Sequence, residues 1–124
     1  MKDREIWVEF SEDAACAYDE LKERVLQEKH KGVDNSQNAQ LLKAIDRAKN
    51  NLKGDPQHGT HISRNKITKR AVRHYGTDRL WKIDLVGYWR MIYTITGDDV
   101  KIIAFVLEFM NHNKYNKIFG YRKK

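Results

Sequence analysis

Four side chains from residue 82 onward have the types and spacing to do chemistry: Lys82, Arg90, His112 and Tyr115. A guanidinium on a rigid element grips an oxyanion through two parallel N–H bonds, and a lysine nearby adds a point charge. Histidine titrates near neutral pH and serves as base or acid. A phenol donates a proton, accepts one if cations lower its pKa, or stacks on an aromatic partner. Together they amount to an anion clamp with proton carriers beside it, and they need no metal. A plainer reading stands beside this one. Arg90 and Asp84 can form a structural ion pair, and His112 can do no more than cap the last strand.

Such residues act only if regular elements hold them. From Leu80 to Tyr121 three segments rich in β-branched and aromatic residues are separated by glycine turns, the pattern of an antiparallel meander. In the first two segments the odd positions are apolar: Trp81, Ile83 and Leu85, then Trp89, Met91, Tyr93 and Ile95. Both odd sets reach one core only across a loop with an odd number of residues. Val86-Gly87-Tyr88 supplies it, Gly87 being free to take positive φ. That register sets Asp84 opposite Arg90, with Lys82 on the same face and Trp81 and Trp89 in the core. Gly97-Asp98 reads as a two-residue, glycine-first turn, which sends Val100, Ile102, Ala104 and Val106 to the core side. Ile103, Phe105 and Leu107 are apolar as well, so the third strand should be covered on both faces. His112 and Tyr115 then fall in a tail beyond it.

The earlier residues supply what the sheet packs on. Glu5 to Phe10 alternates as a short strand. Ser11 caps a helix whose stripe is Ala14, Tyr18, Leu21 and Val25, fading near His30 to Gly32. Asn35 or Ser36 opens a second helix with Leu41, Leu42, Ile45, Ala48 and Leu52 inward; Gly54 ends it and Asp55-Pro56 prevents its continuation. The two helices form an antiparallel hairpin lying across the apolar face of the sheet. The fold class is therefore α+β, as one domain over residues 1–124, large enough to bury a core.

Composition narrows the function. Charged residues make up 33% and hydrophobic ones 40%, a soluble globular balance. No apolar run approaches a membrane span, and Met1 to Glu5 leads into no signal-peptide core. The single cysteine, Cys16, has no internal disulfide partner, so a cytoplasmic setting is expected. The net charge of +7 is uneven: residues 1–55 hold ten Lys/Arg against twelve Asp/Glu, and residues 56–124 hold fourteen against five. A basic half of this kind favours a polyanionic partner, nucleic acid first. Its most basic part, Gln57 to Thr77, contains five Lys/Arg, three histidines and no acid. It reads as the least regular segment, with Lys66, Lys69, Arg70 and Arg73 along one side of a short helix as candidate phosphate contacts. The spacing of His58, His61 and His74 does not suit zinc, and neither metal nor cofactor is expected. The bland alternative is a solvated connector.

The order strand, two helices, basic connector, meander and His/Tyr tail resembles the RelE/ParE superfamily of toxin–antitoxin toxins. Gly87-Tyr88-Trp89-Arg90-Met91-Ile92-Tyr93 looks like the family's Gly-Tyr-Arg-hydrophobic-hydrophobic-Tyr strand. Asn111-His112-Asn113-Lys114-Tyr115 is similar to its basic-residue-then-tyrosine tail, and Phe119-Gly120-Tyr121 to the close of one branch. Lys82 falls where the family carries a basic residue; Asp84 stands where a second basic residue is frequent. The resemblance implies a metal-independent endoribonuclease cutting messenger RNA at the ribosome through Arg90, His112, Tyr115 and Lys82. Lys114 joins the nucleic-acid contacts, and a cognate antitoxin is the implied partner. The ParE branch, which acts on gyrase and cuts nothing, stays open, as does a toxin fold that only binds.

Overall fold

The computed structural model describes residues 4–119. Strand β1 (Glu5–Phe10) leads into α1 (Glu12–His30) and α2 (Gln37–Gly54). Both helices start where a serine can satisfy an orphan N–H: Ser11 accepts from Ala14 N and Ser36 from Ala39 N. Next come β2 (Thr60–His61), a 3₁₀ turn (Arg64–Lys66) and α3 (Lys69–Tyr75). β3 (Trp81–Asp84), β4 (Trp89–Gly97), β5 (Lys101–Asn111) and α4 (His112–Phe119) complete the chain.

The meander is present, inside a larger mixed sheet ordered β1-β5-β4-β3-β2. β1 runs parallel to β5, and every other pairing is antiparallel. Asp84 pairs with Arg90 as the odd-numbered loop requires, and Gly87 takes φ 69°. The α1/α2 hairpin covers one face. Its core joins Leu21, Val25, Ile45, Ala48 and Leu52 to Met91, Tyr93, Ala104 and Val106, with Trp81 and Trp89 packed at its edge.

Four features depart from the sequence reading. First, the turn after β4 is longer than two residues. Gly97 still pairs with Ile102, and the Asp98 carboxylate accepts from the N–H groups of Val100 and Lys101. Val100 thus sits in the turn, 70% exposed, rather than on the core side. Second, β5 changes parity. Ile92 pairs with Glu108 and Tyr93 with Val106, so Leu107 is an extra residue, a β-bulge. Before it Ala104 and Val106 face the hairpin; after it Phe109 does, and Met110 turns to the other face. Third, the basic connector is structured: β2 adds to the sheet through Thr60↔Lys82 and His61↔Trp81, and α3 follows. Fourth, the His/Tyr tail is the helix α4, capped by Asn111, whose side-chain oxygen accepts from Lys114 N.

Helices α3 and α4 close a second, smaller core on the far face, with Ala71, Ile92, Met110, Ile118 and Phe119 buried in it. Thr68 fastens the pair: its hydroxyl caps α3 at Ala71 N and donates to Ile118 O at 2.7 Å.

Candidate functional site

Arg90 is the second residue of β4, on the far face and beside the open end of that second core. Its Nε donates to Asp84 Oδ1 at 3.1 Å across the ladder, and Lys82 Nζ donates to the same oxygen at 3.2 Å. The guanidinium carbon lies 4.3 Å from the centroid of the Tyr115 ring, brought there by the first turns of α4. Tyr115 in turn stacks on Phe119 at 4.6 Å, and Phe119 on Tyr75 at 6.3 Å. The guanidinium is therefore held on its face by a ring and on its Nε by a carboxylate. Among the described residues nothing bonds its Nη edge, which has the geometry for a two-pronged grip on an oxyanion. Two cations and one anion give the cluster a net charge of about +1.

Burial raises the Tyr115 phenol above its ordinary pKa of 10.0, and Asp84 adds to the rise; Arg90 opposes it without prevailing. The cations thus do not make Tyr115 a base, contrary to one of the roles open in the sequence. It stays a neutral ring under the arginine.

His112 opens α4, one turn before Tyr115, and is exposed. Asn116 Nδ2 sits 3.2 Å from its Nε2. An amide N–H donates, so Nε2 accepts this bond in the tautomer that carries its proton on Nδ1. The other side of His112 turns to Tyr88, with ring centroids 6.3 Å apart. The structure thus gathers Lys82, Asp84, Arg90 and Tyr115 by direct contact, and sets His112 at the neighbouring turn of the same helix.

The candidate phosphate contacts divide. Lys69, Arg70 and Arg73 are exposed on α3, on the same side of the sheet as Arg90. Lys66 is exposed but lies in the 3₁₀ turn, because Ile67 adopts extended backbone and separates the two helices. Lys114 is engaged: its ammonium bonds Glu108. Glu108 also accepts from Tyr75 Oη at 2.9 Å and contacts His74 Nε2 at 3.2 Å, so one carboxylate ties β5 to both α3 and α4. Burial pushes its pKa up, but the bonds from Lys114, Tyr75 and His74 outweigh it and hold the carboxyl below its ordinary value. Sequence reasoning missed this knot because Glu108 faces the helices only by virtue of the bulge at Leu107. It also passed over Tyr88, whose one signal was its place between Gly87 and the strand.

The connector histidines are scattered: His58 contacts Asn51, His61 packs on Trp81, and His74 belongs to the Glu108 knot. Among the described residues, no three His, Cys, Asp or Glu side chains are grouped to share a metal ion. No described helix is long and apolar enough to cross a membrane.

Among solved structures the chain is similar to the YoeB/ParE toxin from Agrobacterium tumefaciens. The two superpose with a TM-score of 0.54, over 86% of this chain and 98% of that one, at 14% sequence identity. The fold is that of a YoeB/ParE toxin. At that identity the likeness is one of architecture. No protein-family model matches the sequence, and no curated protein does. The fold leaves the chemistry to the side chains.

Proposed function

We propose that this chain is a RelE-like toxin that cleaves RNA without a metal and is restrained by a small antitoxin protein. The observation that carries the reading is the mounting of Arg90, which rests on Tyr115 and is gripped at Nε by Asp84, with its Nη edge bonded by none of the described residues. Cleavage begins when the ribose 2′-oxygen attacks the adjacent phosphorus and loses its proton. The P–O5′ bond then breaks, and O5′ takes a proton. Arg90 and Lys82 oppose the charge that builds on the phosphoryl oxygens. In this reading His112 removes the 2′ proton. Its Nε2 lone pair becomes available when the exposed bond from Asn116 is exchanged for substrate. For O5′ the Lys82 ammonium, on the strand beside Arg90, is the candidate donor. Tyr115 positions the guanidinium. Exposed Lys66, Lys69, Arg70 and Arg73 steer the polyanion toward this face, and Lys114 acts through Glu108. Messenger RNA on the ribosome is the substrate, so the work is cytoplasmic.

A second reading has an observation in its favour. Asp84 cancels one of the two cations beside it, which suits a toxin fold that binds a protein or nucleic acid without cutting it. Induction in a host lacking the antitoxin separates the two. Wild type should arrest translation and leave cleaved messages, while a folded Arg90→Ala variant should allow growth. Equal growth of the two rejects the nuclease; arrest with intact messages selects the binder.

A further inference from the structure

Tyr88 is the most exposed large apolar side chain among the described residues, at 81%. It is also the one described non-glycine residue with positive φ, at 64°. A left-handed backbone is unfavourable for an ordinary residue, and glycine would fill the same turn without that strain. Nothing in the core repays it, since the ring packs into neither hydrophobic cluster. A strained residue presenting an aromatic ring to solvent points to something that binds the ring.

The surroundings say what that is. Tyr88, Asn111, His112 and Asn113 line one open hollow, with the Tyr88 and His112 rings tilted 57° to each other. An aromatic face flanked by a second ring and by side-chain amides matches an unstacked nucleobase: the face stacks, and the amides reach the base's edge. Tyr88 stands two residues before Arg90, roughly 6.6 Å along extended chain, which is of the order of one nucleotide step. We propose that the Tyr88 hollow is a nucleobase-binding subsite for the nucleotide next to the phosphate held by Arg90. Its Tyr88 ring contributes affinity and base preference rather than proton transfer. The inference rests on the nuclease reading above, and its test keeps the two apart.

The probe is a short single-stranded RNA, intact or with one abasic position, bound to the full chain. Tyr88→Gly removes the ring and relieves the backbone, so the fold should hold or gain stability. Affinity for the intact RNA should fall about 5- to 150-fold, the range for removal of one stacking partner. The salt slope should not change, because no charge is removed. Tyr88→Phe should bind like wild type. An abasic gap at the matching position should weaken wild type but leave Tyr88→Gly unaffected. If wild type binds RNA and Tyr88→Gly binds it equally well, the subsite is overturned and the nuclease reading stands. If Tyr88→Gly loses only a protein partner, the ring belongs to that interface and the subsite is overturned. If wild type neither binds nor cuts RNA, both proposals fall together.

Discussion

Arg90 shows how a single side chain is made useful by what surrounds it. An exposed arginine samples many rotamers; this one is held by a ring at 4.3 Å and a carboxylate at 3.1 Å, with its side chain 23% exposed. The roles of Tyr115's ring and hydroxyl can be separated. Burial keeps the phenol protonated, so its ring should matter more than its oxygen. Tyr115→Phe should keep most of the cleavage activity, whereas Tyr115→Ala should lower kcat far more than it raises KM. Single-turnover cleavage of a short RNA reads both, and equal losses would assign the proton to Tyr115. For His112 the expectation is reversed. His112→Gln keeps a polar group of similar reach but cannot titrate, so cleavage should fall about 10²–10⁴-fold while RNA binding barely moves. The pH–rate profile should lose the limb that a histidine supplies. A parallel loss of binding would instead mean that His112 holds the start of α4 in place.

At the scale of elements, the bulge at Leu107 and the knot at Glu108 belong together. The extra residue in β5 turns Glu108 to the far face, where one carboxylate receives Lys114 from α4 and Tyr75 from α3 and contacts His74. Its carboxyl titrates below the ordinary value of 4.5 in the folded protein. A lowered folded pKa favours the native state at every pH above the ordinary value. That contribution is lost as pH falls through the folded value. Thermal unfolding should therefore show a drop in Tm below about pH 4.5. Glu108→Gln should be less stable at neutral pH, and its loss over the acid window should be shallower. Matching acid limbs in both proteins would remove Glu108 from the account. Because α4 carries Tyr115 and His112, loosening this knot should also disturb the site.

The whole molecule is polarised. The hairpin from the acidic half covers one face of the sheet, while α3 and α4, from the basic half, cover the other, which also carries Arg90. Exposed Lys66, Lys69 and Arg70 extend that basic side beyond the site itself. Replacing all three with Gln should weaken RNA or ribosome binding and flatten its salt dependence. The log–log slope should fall by roughly 0.7 to 0.9 for each phosphate that is no longer neutralised. The rate of cleavage at saturating RNA should be little affected, since none of the three touches Arg90. An unchanged slope would make the segment a solvated support for α3.

Local chemistry determined much of this. The capping serines at 11 and 36, the apolar stripes behind them and the alternation through β1, β3 and β4 each depend on neighbours within a few residues. So does the Val86-Gly87-Tyr88 loop, whose odd count puts Asp84 opposite Arg90. Contacts between distant segments were decided only by the folded chain. β2 is two residues long and gains its identity from pairing with β3. Gly59 lets the connector approach: its N–H donates to Tyr93 Oη, and a Cβ there would lie 2.5 Å from Lys82 O. The bulge at Leu107 adds one residue to a strand whose neighbours are apolar at both parities, so alternation could not locate it. The segment after Asn111 becomes a helix because Ile118 and Phe119 find a second core against Ile92 and Met110. Sequence periodicity reports which residues share a face. Which faces meet, and so which side chains become a site, depends on packing across the whole chain.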